Sequence, residues 1–249
     1  MAKNEVANKA SGGALAVIDF AADAGMGMEG MTSQDMAIPF FNILQKLSPQ
    51  LDTIPDAKAG QIFNTVTEEL FKEIVVIPCA YKREFVEWKP RSAGGGLVGQ
   101  HSITAPIVTE SKMVDGKLTT PTGNILVETA YHFVIRIDDE AGVFEPGLIT
   151  MSSTQLKKNR RWNSLMNNLK VQGPNGPVTP ARFSHIYKLG SIAEQNDKGG
   201  WSGWTIDIVG PVASTALYQA ARDFAQQVMA GQVKTSAPEA EQSETHNAF

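Results

Sequence analysis

A single cysteine, Cys79, stands in 249 residues. One thiol excludes an internal disulfide and any metal site built on several cysteines, and it fits a reducing compartment. No apolar run reaches the roughly 18 to 20 residues that span a bilayer as a helix. Asp19 and Asp23 also interrupt the first apolar patch, so neither a membrane helix nor a secretory leader is expected. Histidine is scarce too. His101, His132, His185 and His246 share no metal-ligand spacing, and H-E-x-x-H and G-x-S-x-G are absent. His132 lies inside an apolar strand pattern and reads as a core residue. "GGGLVGQH", Gly94 to His101, has the glycine spacing of a P-loop, but Gln100 and His101 stand where its lysine and hydroxyl belong. It reads as a flexible loop between strands. The expectation is no catalytic residue, no metal and no cofactor.

The chain also lacks charge of one sign over a long span. Between Pro146 and Ala193 there is no Asp or Glu, while Lys157, Lys158, Arg160, Arg161, Lys170, Arg182 and Lys188 lie there. The protein as a whole carries a net charge of −4, so this middle is basic between acidic flanks. Such asymmetry points to an anionic partner. Four of the cations fall in "KKNRR", residues 157–161, just before Trp162.

What is present reads mainly as strands. From Gly60 onward, segments such as "EIVVIPCAYKREFVEW", "ILVETAYHFVIRID" and "GWTIDIVG" are rich in β-branched and aromatic residues, with turn signals such as "DDEAG" and "NDKGG" between them. "FSHIYKLGSIAEQ" and "WSGWTIDIVG" read as one hairpin. "SITAPIVTE" reads as extended, and "IPFFNILQKLS" roughly fits a helical face through Ile38, Phe41, Leu44 and Leu47. Two helices are expected. The first follows Ser152 and Gln155, which have capping-box spacing. At 100° per residue it places Gln155, Trp162, Leu165, Met166 and Leu169 on a core side and Lys157, Arg160 and Arg161 opposite, with Lys158 at the border. The second is capped by Ser214, buries Leu217, Ala221, Phe224 and Val228, and ends at Gly231. Residues 1–35 are expected to be a flexible arm, 36–231 one β-rich domain and 232–249 a disordered acidic tail. The fold class is mainly β (α+β), an OB-like open barrel with a basic helix and a C-terminal helix.

"YKREFVEWKPR", Tyr81 to Arg91, interleaves rings and cations. As a strand it sets Tyr81, Arg83, Phe85, Lys89 and Arg91 on one face and Lys82, Val86 and Trp88 on the other. Single-stranded nucleic acid suits this mixture, because bases stack on rings and cations follow phosphates. The candidate site is therefore Tyr81, Lys82, Arg83, Phe85, Trp88, Lys89 and Arg91, flanked by Lys157, Lys158, Arg160, Arg161 and Lys170. The tail residues Glu239, Glu241, Glu244 and Phe249 form a candidate partner-binding segment.

In this arrangement of aromatic and basic β core, final helix and acidic tail ending in Phe, the chain resembles phage-encoded single-stranded DNA-binding proteins of the OB-fold type. "IPFFNILQKLS", "YKREFVEWKPR" and "STQLKKNRRWNSLM" also resemble segments of phage early proteins. The resemblance implies a non-enzymatic protein of the host-cell cytoplasm that coats single strands in replication or recombination. It further implies partner proteins met through the tail, and is compatible with a homo-oligomer. The tail departs from the pattern in having three glutamates and no Asp-rich run. Two other classes fit the same composition: a phage structural or assembly protein, and a recombination annealing protein or metal nuclease.

A tethered acidic tail competes with nucleic acid for a basic surface at high effective concentration. Deleting residues 236–249 is therefore expected to tighten binding to oligo-dT modestly at low salt, by fluorescence anisotropy, with the gain shrinking as salt rises. Weaker binding by the truncated chain at low salt would assign the tail to the site itself.

Overall fold

Nine successive residues of one strand, Thr129 to Ile137, are buried. Side chains alternate across a sheet, so such a strand must be covered on both faces. The computed structural model, which describes residues 21–32, 35–138, 142–197 and 199–233, shows how. The chain divides into two units, Met1–Met36 and Ala37–Phe249. The described part of the first consists of turns and bends.

In the second unit the order is β1 (Phe41–Ile43), α1 (Gln50–Thr53), β2 (Ile62–Asn64), β3 (Leu70–Phe71), β4 (Ile74–Trp88), β5 (Leu97–Ser102), α2 (Pro106–Glu110), β6 (Lys112–Val114), β7 (Lys117–Thr119) and β8 (Ile125–Asp138). Then come β9 (Val143–Ser152), α3 (Leu156–Asn168), β10 (Val171–Gly173), β11 (Gly176–Val178), β12 (His185–Asn196), β13 (Gly199–Pro211) and α4 (Thr215–Met229). The main antiparallel sheet runs β13-β12-β4-β8-β7-β6, with β5 also on β4 and β9 also on β8. The mainly β class agrees with the sequence. The ladders leave this sheet open and do not close it into a barrel.

The central β8 explains the layering. Tyr131, Phe133, Ile135 and Ile137 join Leu217, Ala221 and Phe224 of α4 in one core cluster. Ala130 and Val134 join Trp162 and Met166 of α3, with Phe41, Ile43 and Ile62 of the small sheet β1-β2-β3, in another. With both faces covered by other elements, the sheet buries its apolar side chains without closing on itself.

Strand β4 changes phase midway. Pro78 has no N–H for the ladder, and the register to β8 shifts between Pro78 and Ala80. Before the bulge, Ile74 and Val76 face the α3 layer. After it, Tyr81 stands opposite His132 and Arg83 opposite Ala130, so odd residues face that layer. The extra residue, Cys79, is buried, and desolvation pushes its thiol up to about 12.

Several local expectations change. "IPFFNILQKLS" is not helical: Phe40 and Phe41 enter opposite cores, and β1 pairs with β2. Two successive aromatics that must reach opposite sides require extended backbone. "SITAPIVTE" contains the short helix α2, with Pro106 in its first turn, where a missing N–H costs nothing. The capping box of α3 does not form: Ser152 makes no side-chain cap, and a 3-10 turn, Ser153–Gln155, precedes the helix. The Gln155 side chain instead accepts from the Trp204 N–H of β13 at 3.0 Å. The Ser214 cap does form, accepting from the Leu217 N–H at 3.3 Å. The β12–β13 hairpin is also as expected.

The outer edge of β13 is occupied by side chains. Gln45 pairs with Ser202 through both its N–H (2.8 Å) and its carbonyl (3.0 Å). Gln155 takes the Trp204 N–H, and the Arg161 guanidinium donates to the Ile206 carbonyl at 3.2 Å. These three residues stand in for a neighbouring strand.

Gly147 on β9 lies against the fully buried Phe41 ring, and a Cβ there would overlap it. Gly147→Ala is expected to lower stability by about 1 to 3 kcal/mol, the usual range for overpacking, measured by urea unfolding. An unchanged midpoint would mean that the ring has room to move.

Candidate nucleic-acid interface

The β4 half of the expected site is only partly assembled. Tyr81 is 37% exposed, on the α3 side of the sheet. Arg83 and Phe85 follow it on the same face, opposite Ala130 and Glu128. Trp88 is 4% exposed and belongs to the α4-side core, so its ring is closed to stacking. The strand stops at Trp88, and Arg91 lies in a 3-10 turn. Lys89 and Arg91 are exposed, beyond the strand's alternation. The strand's cations are not free either. Lys82 pairs with Glu84 at 2.7 Å, and Arg83 with Glu128 at 3.5 Å.

The helix half is closer to expectation. Trp162 is fully buried, and Lys157, Arg160 and Arg161 are exposed on the outer side. Lys158 pairs with Glu194 at 2.8 Å, and Arg161 is tied to β13. Lys170 bonds the Asn167 carbonyl (3.1 Å) and Thr179 (2.5 Å). Lys157 and Arg160 have no carboxylate partner among the described residues. Glu239, Glu241, Glu244 and Phe249 lie outside the described residues.

What joins the two halves is a polar network that the sequence did not reveal. His132, fully buried on β8, stacks on Trp162 with ring centroids 4.4 Å apart. Its Nδ1 lies 2.6 Å from the Arg182 Nη2 and its Nε2 lies 2.9 Å from the Asn159 Oδ1. Arginine only donates, so Nδ1 accepts, and the one proton of the neutral ring sits on Nε2. The Asn159 Nδ2 donates onward to the Tyr81 hydroxyl at 3.3 Å, and the Asn163 Nδ2 donates to the Asn159 Oδ1 at 3.0 Å. Arg182 completes the loop by donating to the Asn163 Oδ1 at 3.0 Å and lying 5.2 Å from the Tyr81 ring centroid. The signals available were Arg182 within the carboxylate-free span and asparagines on the helix; neither indicates a partner across the fold.

This arrangement keeps His132 uncharged. Burial and the Arg182 charge together hold its pKa well below the usual imidazole value. Burial lowers Arg182 to about 10, where it is still protonated at neutral pH. The half-exposed Tyr81 ring thus stands beside the largely enclosed Arg182, with Lys157 and Arg160 on the outer side of α3. Among the described residues, no cluster of three or more metal-ligating side chains occurs, and no helix is long and apolar enough to cross a membrane.

Among known proteins, one family model, described as Pam3 phage gp34-like protein, matches residues 7–234. No curated protein and no solved structure matches the chain.

The depressed pKa of His132 has a consequence for stability. The unfolded imidazole takes up its proton near 6.5, before the folded one does. Stability is therefore full above pH 6.5 and falls as pH drops below it. Urea midpoints between pH 8 and 5 are expected to follow that course, and His132→Gln to be less stable throughout with a shallower slope. An unchanged slope in the variant would assign the titration elsewhere, His185 being a second described imidazole whose pKa burial lowers.

Proposed function

Because the chain belongs to the Pam3 phage gp34-like protein family, we propose that it is a phage-encoded, non-enzymatic protein that binds single-stranded DNA without strong sequence preference, in replication or recombination. The observation that carries this reading is the hydrogen bond from Asn159 to Tyr81, which joins the ring-bearing strand to the basic helix on one face. Bases would stack on Tyr81 and Phe85, each contact worth about 1 to 3 kcal/mol. Phosphates would track Lys157 and Arg160, which have no carboxylate partner among the described residues. The OB-like element of the proposal is this mode of binding, a strand of rings and cations beside a basic flank.

The pairing pattern refines which residues act. Arg161 and Lys158 already hold β13 and Glu194, so they contribute field more than direct contact. Arg83 must exchange Glu128 for a phosphate, and an exposed pair of this kind is weak enough to do so, whereas Lys82 stays with the buried Glu84. Host-cell cytoplasm as the place of action, and partner proteins met through the tail, are parts of the same proposal.

Anisotropy with labelled oligo-dT, duplex DNA and RNA across a salt series tests it. Oligo-dT affinity is expected to fall steeply with salt through counterion release, and Lys157→Glu with Arg160→Glu to flatten that slope. Phe85→Leu is expected to cost about 1 to 3 kcal/mol of binding with the fold intact. Affinity that ignores salt, or a preference for duplex, would overturn the reading.

A further inference from the structure

Arg182 is a cation held by neutral partners. It opens the 3-10 turn Arg182–Ser184 directly before β12, and its side chain is largely enclosed. Its hydrogen-bond partners are the neutral His132 Nδ1 and the neutral Asn163 Oδ1, and the Tyr81 ring lies against it. No carboxylate pairs with it among the described residues. A guanidinium has five N–H donors, and these two bonds use only two of them. The Nε is buried and has no partner. Enclosing a charge in this way is unfavourable unless an opposite charge or strong hydrogen bonds compensate.

The surrounding groups also carry unused donors. The Trp162 Nε1 and the Tyr187 hydroxyl are buried and unpartnered. Both belong to the aromatic cluster around His132: Trp162 stacks on that ring, and the Trp162 and Tyr187 centroids are 5.7 Å apart. The Tyr81 hydroxyl accepts from Asn159, which leaves its own proton to donate elsewhere. Nδ1 of His132, the natural acceptor here, is already taken. A cation with a buried, unused N–H, beside the exposed Tyr81 hydroxyl and with no negative group paired to it among the described residues, is the complement of an oxyanion.

We propose that Arg182 and Tyr81 form an anion site that takes a phosphate group. The guanidinium fork matches two oxygens of a tetrahedral phosphate, which a lysine ammonium does not. Tyr81 stands at its solvent side and guards entry, since it is the exposed member of the network. The same phosphate chemistry has two sources, a phosphodiester of a nucleic-acid strand or free inorganic phosphate. The site goes beyond the DNA-binding reading and does not need it, because inorganic phosphate alone can fill it.

Thermal unfolding of the full chain in inorganic phosphate, against chloride at equal ionic strength, is the first arm; oligo-dT anisotropy in a phosphate-free buffer is the second. Wild type, Arg182→Gln, Arg182→Lys and Tyr81→Phe are compared in both. If free phosphate is the occupant, phosphate raises the wild-type Tm, Tyr81→Phe and Arg182→Lys reduce the rise, and Arg182→Gln abolishes it. If the strand phosphodiester is the occupant, phosphate leaves Tm unchanged while oligo-dT affinity falls several-fold in Tyr81→Phe and Arg182→Lys. Where Arg182→Gln does not fold, those two milder variants decide. A wild-type Tm equal in phosphate and chloride, together with oligo-dT affinity equal in wild type and both milder variants, overturns the site. Tight, salt-sensitive oligo-dT binding in that last case leaves the DNA-binding reading standing. A phosphate response with no oligo-dT binding removes the DNA-binding reading and keeps the site.

Discussion

Everything in this fold follows from the double burial of β8. A strand covered on both faces has no solvent side on which to place a polar residue cheaply, yet His132 and Arg136 sit within it. Each is made tolerable by partners from other elements. Arg136 donates to Glu145 at 2.7 Å and lies over the Phe71 ring, while His132 is held by Asn159 and Arg182. A buried polar group left unbonded costs about 1 to 3 kcal/mol. The positions of α3 and of the turn before β12 are therefore fixed by hydrogen-bond direction as well as by apolar packing.

The same constraint decides where positive charge can act. The β4 cations are matched by acids on their own strand or the next, whereas α3 lies in a span without acids and keeps Lys157 and Arg160 open. Charge counting in one dimension located the helix correctly. It overvalued β4, because Glu84, two residues along the same strand, pairs with Lys82, and Glu128 meets Arg83 only across the ladder.

Legibility in the sequence tracked the range of the interactions involved. The burial of Trp162, the Ser214 cap and the β12–β13 hairpin depend on residues a few positions apart, and periodicity and turn chemistry reveal such features. The strand at Phe41 was hidden because its partners are residues 62–64, and a three-residue apolar spacing imitates a helix. Gln155 looked like half of a capping box, but its amide is spent on Trp204, 49 residues away. The bulge at Cys79 could be suspected from Pro78, though its effect on parity required the register with β8. In the site, rings and cations were visible as residue types, and Trp88 was misassigned because either face of an alternating strand can be the buried one. The linkage of Tyr81 to Asn159 spans 78 residues and left no local trace.

The sealed edge of β13 bears on behaviour in crowded solution. An open antiparallel sheet ordinarily offers its last strand as a template on which another molecule can continue the ladder. Here Gln45, Gln155 and Arg161 already occupy those backbone positions. Two molecules meeting along the middle of β13 find Ser202, Trp204 and Ile206 already bonded, so the ladder is blocked there. An assembly that uses this border must then rely on side-chain surfaces, which can be specific, and not on extension of the sheet past β13, which is not.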